Sequence, residues 1–129
     1  MKKTIALFAF IILAATAHSQ SLTETDISGV WKITNVENGH IDPELAAKMQ
    51  YAFLYFHNDK SFELKEKGND PANPLTTTSH KNARWSYNAP AQTLTTTRTK
   101  MTLKVSTSNN KIFFTDTESG LKFEVIKPS

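Results

Sequence analysis

Residues 51–67, with the sequence YAFLYFHNDKSFELKEK, decide the fold. Apolar and polar side chains alternate on both sides of the central Asn58-Asp59-Lys60, as they do in strands that bury one face. If these three residues form the loop, Phe56 lies opposite Phe62 and one side of the pair is apolar. The stretch therefore predicts an antiparallel hairpin with one buried face.

The loop length also decides which aromatic side chains stay outside. A three-residue loop places Leu54 opposite Leu64 on the buried face and leaves Phe53 and Tyr55 on the outer face. A two-residue loop would reverse the first strand and turn Phe53 and Tyr55 inward. We favour the three-residue loop. Phe53 and Tyr55, beside His57, are then either covered by a neighbouring element or form a surface that contacts another protein.

The same short alternation recurs along the chain between turn residues, which indicates an all-β fold. Eight strands are predicted, at residues 28–36, 51–57, 61–67, 84–87, 93–97, 101–105, 111–116 and 121–125. One short helix is expected after the first strand, with Asp42 as its N-cap and Pro43 at its first position. Residues 68–77 lack the alternation and predict a loop. Eight antiparallel strands favour an up-and-down barrel whose interior is filled or holds one small ligand.

The start of the chain has the three parts of a secretory signal peptide. A positive beginning is followed by an apolar run over residues 5–15 and by small residues Ala17 and Ser19 before a cleavage point. The run is shorter than the ~20 residues of a membrane-spanning helix. We expect a signal peptide at residues 1–19 and one exported domain at residues 20–129, in the periplasm or outside the cell, with no stable membrane anchor.

Composition narrows the function classes. The chain has no cysteine, which excludes disulfides, thiolate zinc sites and a cysteine nucleophile. Two of the lysines behind its formal charge of +3 lie in the expected leader, so the remaining chain is nearly neutral. Nucleic-acid binding needs a concentrated basic face and is not expected.

Several motifs resemble those of small secreted bacterial lipocalin-like domains. The triplet Gly29-Val30-Trp31 resembles their opening Gly-x-Trp, and residues 56–62, FHNDKSF, resemble their Phe-x-x-Asp-Gly-x-Phe hairpin. Residues 83–87, ARWSY, followed by Leu94, are similar to their Gly-x-Trp…Leu step. Lys60 stands where glycine is usual and must therefore accept a left-handed backbone. The resemblance implies a lipocalin-like β-barrel with a general binding role.

We therefore expect an exported, non-enzymatic protein that binds a small hydrophobic or amphipathic ligand inside the barrel. Arg98 is either a partner for a ligand carboxylate or a solvated turn charge, and Trp31 either lines the ligand site or seals one end. The alternative is a protein-interaction or inhibitor module with a filled core, acting through Phe53 and Tyr55. The residues predicted to contact a ligand are Phe56, Phe62, Trp85, Tyr87, Arg98 and Phe114.

Motifs for catalysis and metal binding are absent from the sequence. There is no nucleophile elbow, zinc-protease motif or phosphate-binding loop. Glu63 and Glu66 are predicted on opposite strand faces, so they do not form an acid–base pair. His40, His57 and His80 lack the spacing of metal ligands. We expect no enzymatic activity, no cofactor and no metal site.

Overall fold

The computed structural model describes residues 22–70 and 72–128; the predicted signal peptide, residues 1–19, lies outside them. The described chain is all-β with two short helices, and nine antiparallel strands form one sheet. The helices are α1 (Glu24–Ile27) and α2 (Pro43–Met49). The strands are β1 (Gly29–Glu37), β2 (Phe53–Phe56), β3 (Phe62–Asp70), β4 (Asn73–Thr77), β5 (Trp85–Asn88), β6 (Thr93–Thr96), β7 (Met101–Ser108), β8 (Lys111–Asp116) and β9 (Lys122–Ile126).

The strand order is β4-β3-β2-β1-β9-β8-β7-β6-β5, so the first strand pairs with the last. Hydrogen bonds also join the start of β3 to the start of β5, at the other end of this order. The Phe62 amide donates to the Ala83 carbonyl at 3.0 Å, and the Trp85 amide donates to the Lys60 carbonyl at 2.9 Å. These two bonds connect parts of the sheet that are far apart in strand order.

The central hairpin has the predicted register. Phe56 pairs with Phe62 and Leu54 pairs with Leu64, which confirms the three-residue loop. Lys60 has a φ of 76°, the left-handed backbone conformation that the sequence predicts for this turn position. Local alternation therefore predicted both the turn and the buried face of this hairpin correctly.

The prediction of eight strands was wrong, because residues 68–77 do not form a simple loop. Strand β3 continues to Asp70, and β4 pairs with it through Thr77 opposite Lys65. Threonine is a good strand former, and proline is tolerated in edge strands, which allows Pro74 in β4. Within the described part of the chain, β4 pairs with β3 alone and carries no alternating apolar pattern, so local alternation does not reveal it.

Helix α2 was predicted and α1 was not. In α2 the Asp42 carboxylate accepts a hydrogen bond from the Leu45 amide at 3.1 Å, as expected for an N-cap. Helix α1 begins with a capping box: the Thr23 hydroxyl accepts from the Asp26 amide, and the Asp26 carboxylate accepts from the Thr23 amide at 2.8 Å. This Thr-x-x-Asp pattern is the sequence signal for α1.

The core lies on the inner face of the curved sheet, and α1 covers the end at which β1 begins. The Trp31 indole nitrogen donates to the Ile27 carbonyl at 2.7 Å, and the Trp31 ring packs edge-on against Phe114. Trp31 is thus held in the core by α1 on one side and by Phe114 on the other. The largest fully buried side chains are Trp31, Phe56, Phe62, Phe114, Phe123, Ile27, Ile33, Leu54, Leu94, Leu103, Leu121 and Val125.

Candidate functional site

A cavity of about 540 Å³ opens to solvent at the end of the sheet where β1 finishes and α2 follows. We call it the mouth cavity. Its volume lies within the range typical of small-molecule sites. It is lined by Asp42, Leu45, Lys48, Met49, Leu64, Glu66, Thr78, Thr99, Lys100, Met101, Asp116, Glu118, Ser119 and Phe123.

The inner part of the mouth cavity is apolar. Helix α2 supplies Leu45 and Met49, which are four residues apart and therefore lie on one face of the helix. Strands β3, β7 and β9 supply Leu64, Met101 and Phe123. The buried residues among these, Met49, Leu64 and Phe123, are continuous with the core. An alkyl or aromatic group entering here would leave water for an apolar surface.

Charged side chains surround the apolar part of the cavity, and they differ in how far they are exposed to solvent. Three carboxylates are half-buried, whereas both lysines and the fourth carboxylate are exposed. None of these six side chains forms an ion pair within the described part of the chain. The half-buried carboxylates belong to Asp42, Glu66 and Asp116, and the exposed groups belong to Lys48, Lys100 and Glu118.

Hydrogen bonds from side-chain hydroxyl groups hold two of the half-buried carboxylates in place. The Thr78 hydroxyl donates to Glu66 at 2.8 Å, and the Ser119 hydroxyl donates to Asp116 at 2.7 Å. Glu66 lies two residues beyond Leu64, so both side chains are on the inner face of β3. This face changes from apolar to charged where β3 leaves the core.

The predicted ligand residues lie elsewhere. Trp31, Phe56, Phe62, Trp85 and Phe114 form a packed aromatic cluster in which Phe56 is 5.3 Å from Phe62, 5.5 Å from Trp85 and 6.2 Å from Phe114, measured between ring centroids. All five are at most 3% exposed, and none lines the mouth cavity. These rings fill the interior near the end that α1 covers.

The polar side-chain atoms of Trp85 and Tyr87 also form hydrogen bonds within the protein. The Trp85 indole nitrogen donates to the His57 carbonyl at 2.8 Å. The Tyr87 hydroxyl donates to the Leu22 carbonyl at 2.9 Å. Burial raises the pKa of the Tyr87 phenol, and the negative charge of Asp26 adds to this effect. These two hydrogen bonds connect β5 to His57, which follows β2, and to Leu22, which precedes α1.

Arg98 lies in the turn between β6 and β7, exposed to solvent, with a φ of 65°. The alternation of β6 ends at Thr96, so Arg98 does not continue its inward face. Arg98 directly precedes Thr99 and Lys100, which line the mouth cavity, but is not itself among the lining residues.

The outer face of β2 carries a row of rings. Tyr51, Phe53, Tyr55 and His57 follow one another at every second position, and we call them the outer aromatic row. Ring centroids are 6.4 Å apart for Phe53 and Tyr55 and 5.9 Å apart for Tyr55 and His57. Phe53 and Tyr55 are half-buried, whereas Tyr51 is 57% exposed. Helix α2 directs its apolar residues Leu45 and Met49 to the mouth cavity.

Two lysines flank the outer aromatic row. Lys32 on β1 lies 5.8 Å from the Phe53 ring centroid, and Lys65 on β3 lies 5.1 Å from that of Tyr55. At these distances an ammonium group is attracted to the ring face. Glu63 is 3.1 Å from the His57 ring and 3.6 Å from Lys65, on the opposite strand face from Glu66. The row is therefore amphipathic rather than purely apolar.

No group of three or more metal-ligating side chains occurs in the part of the chain that the structure describes. His57 contacts Glu63, and the His80 ring nitrogen accepts from the Asn82 amide at 3.0 Å. Across residues 22–70 and 72–128, no helix combines the length and apolar character needed to cross a membrane.

Sequence reasoning placed Leu64 and Phe123 on the inner face but did not identify the polar residues around them. One usable signal was the step from Leu64 to Glu66, where an inward position becomes charged. Asp116 and Ser119 have no comparable signal in the sequence. They are far from α2 along the chain, and only the fold places them around the same cavity. Comparison with protein-family models, with curated proteins and with solved structures finds no match for this chain.

Proposed function

We propose that this protein binds a small amphipathic molecule whose apolar part enters the mouth cavity. The observation that carries the proposal is the cavity itself, with Leu45, Met49, Leu64, Met101 and Phe123 inside and charged groups around the opening. Ligand sites are typically concave, mostly apolar and supplied with a few polar groups that orient the ligand. The ligand would lie in the mouth cavity and not among the rings of the aromatic cluster.

We propose further that the sheet closes as a lipocalin-like barrel. The pairing of β1 with β9 and the bonds between β3 and β5 support a ring of eight strands, with β4 outside it. Antiparallel rings of this size leave room for side chains or for one small ligand. In such a barrel, the aromatic cluster would fill the interior near α1, and the mouth cavity would remain open to solvent.

The proposal is for binding without catalysis in an exported protein. Export rests on the signal peptide predicted at residues 1–19. Binding alone accounts for a site in which apolar side chains form the interior and two half-buried carboxylates, Glu66 and Asp116, are held by hydroxyl donors.

A neutral dye whose fluorescence rises in apolar surroundings, N-phenyl-1-naphthylamine, tests the proposal. We expect saturable binding at one site per chain. Met101→Trp should fill the mouth cavity and weaken binding at least about ten-fold, a loss of about 1.4 kcal/mol. Ser106→Trp, on the exposed outer face of the same strand, is the matched control and should bind as the wild type does.

Absence of saturable binding would contradict the proposed function. Equal binding by Met101→Trp and Ser106→Trp would place the dye outside the mouth cavity and contradict it as well. Thermal unfolding of both variants shows whether each is folded, so that a loss of binding can be assigned to the cavity.

A second candidate function is contact with a partner protein through the outer aromatic row. The observations that favour it are the contacts that join the rings of Phe53, Tyr55 and His57, and the exposure of Tyr51, two residues before Phe53. Aromatic residues are enriched in the cores of protein interfaces. This function and ligand binding use opposite faces of the sheet, so single variants can separate them.

A further inference from the structure

We infer that the mouth cavity selects cationic amphiphiles over anionic amphiphiles with the same tail. This inference rests on the proposed function and adds the charge class of the ligand. It follows from which charges around the opening are half-buried, which are exposed and which are held in place by hydrogen bonds.

The charges closest to the interior are all negative. Asp42, Glu66 and Asp116 are the acidic side chains that line the cavity and are half-buried. The two cations of the lining, Lys48 and Lys100, are exposed. A charge is screened less as it is removed from water, so the half-buried carboxylates act more strongly on a bound ligand than the exposed lysines do.

The carboxylates are also better positioned than the lysines. Thr78 holds Glu66 and Ser119 holds Asp116 through hydroxyl hydrogen bonds, and the Leu45 amide holds Asp42. Lysine side chains are long and flexible and extend readily into solvent. A ligand entering the cavity can therefore avoid the ammonium groups more easily than it can avoid the carboxylates.

The ligand class that satisfies both parts of the site has an apolar tail and an ammonium head. The tail would contact Leu64, Met101 and Phe123, while the head would remain near Glu66 and Asp116 at the opening. None of the three half-buried carboxylates has an ionic partner within the described part of the chain, so an ammonium head would supply one. A carboxylate or sulfate head would meet like charges there.

Three octyl compounds with the same tail test the charge preference: octyltrimethylammonium, neutral octyl glucoside and octyl sulfate. Their affinities are measured by displacement of N-phenyl-1-naphthylamine from the full chain, below the micelle concentration of each compound. We expect the cation to bind about ten-fold more tightly than the anion at low salt. The ratio should fall as salt is added, because salt screens the charges around the opening.

Glu66→Gln removes one half-buried charge and keeps an oxygen that can accept from Thr78. It should lower the cation-to-anion ratio about three-fold. The matched control is Glu63→Gln on the same strand, which makes the same charge change on the outer face. Glu63→Gln should leave the ratio unchanged.

The outcomes separate this inference from the proposed function. If octyl glucoside binds but the anion binds as tightly as the cation, the charge preference is overturned and the cavity remains a ligand site. An equal response of the ratio to Glu66→Gln and Glu63→Gln also overturns it. If none of the three compounds displaces the dye and the dye itself does not bind, the proposed function falls together with the inference.

Discussion

The indole nitrogen of Trp31 donates a 2.7 Å hydrogen bond to the carbonyl of Ile27, and this bond holds the end of α1 against the start of β1. Trp31 is 2% exposed, so the bond lies in the core. Helix α2 follows the other end of β1 and lines the mouth cavity. The two ends of the sheet are thus different: one is sealed by α1 and rings, and the other opens to solvent.

Trp31→Phe should destabilise the protein by about 2 kcal/mol, because it leaves the Ile27 carbonyl without its donor and removes part of a buried ring. Urea unfolding measures the loss. Amide hydrogen exchange tests the location: Ile27 should exchange faster in the variant, and Phe114 should change only as much as global stability does. An unchanged exchange rate at Ile27 would show that the bond does not hold α1.

Phe56 and Tyr55 are neighbours in sequence but lie on opposite faces of β2. Phe56 is fully buried in the aromatic cluster, whereas Tyr55 is half-buried in the outer row. Phe56→Ala should cost about 3–5 kcal/mol, and Tyr55→Ser about 1 kcal/mol. The free energy of unfolding in urea checks both values. Equal losses for the two variants would contradict the assignment of the faces.

The same Tyr55→Ser variant tests the second candidate function. If the outer aromatic row binds a partner protein, crosslinked capture of that partner should be lost in Tyr55→Ser and retained in Tyr55→Phe, which keeps the ring. Capture by Tyr55→Ser at the wild-type level would exclude this surface as the binding site. The dye-binding affinity should be unchanged in both variants, because the mouth cavity lies on the inner side.

Arg98→Gly should stabilise the protein by about 0.5–1 kcal/mol. A side chain at a φ of 65° is strained by about 1–2 kcal/mol, and glycine relieves this at the cost of a more flexible unfolded chain. Arg98→Ala, which removes the charge and keeps the strain, is the control and should have nearly wild-type stability. Both variants should bind the dye normally; weaker binding would restore Arg98 as a ligand residue.

Asp26 makes the free energy of unfolding depend on pH. Hydrogen bonds from the Thr23 amide and then the Thr23 hydroxyl lower the pKa of Asp26 below its ordinary value of 3.8. A lowered pKa means that the stabilisation is fully present above pH 3.8 and is lost as pH falls through the folded-state pKa. The difference in unfolding free energy between wild type and Asp26→Asn should therefore shrink in acid. A difference that stays constant from neutral pH to about pH 2 would contradict this.

Features set by neighbouring residues were predictable from the sequence. The loop at Asn58-Asp59-Lys60, the register of Phe56 with Phe62 and the Asp42 cap follow from alternation, turn chemistry and capping within short windows. Strand β4 was missed because its pairing with β3, not its own pattern, makes it a strand. Helix α1 was missed despite the pairing of Thr23 with Asp26.

The mouth cavity could not be predicted in the same way. Leu45, Leu64, Met101 and Phe123 come from one helix and three strands, and only the curvature of the sheet brings them together. Inward alternation is the same for a side chain that fills the core and one that borders a cavity. The large rings were therefore assigned to a ligand, whereas in the structure they pack against one another.

The most direct test of the central claim is a methyl and indole NMR titration with neutral octyl glucoside. The sequence has three methionines and two tryptophans; Met49 and Met101 line the mouth cavity, and Trp31 and Trp85 belong to the aromatic cluster. We predict saturable shifts of the Met49 and Met101 methyl signals with little change in either indole signal. Shifts confined to the indoles, or no saturable shift at either methionine, would contradict a ligand site in the mouth cavity.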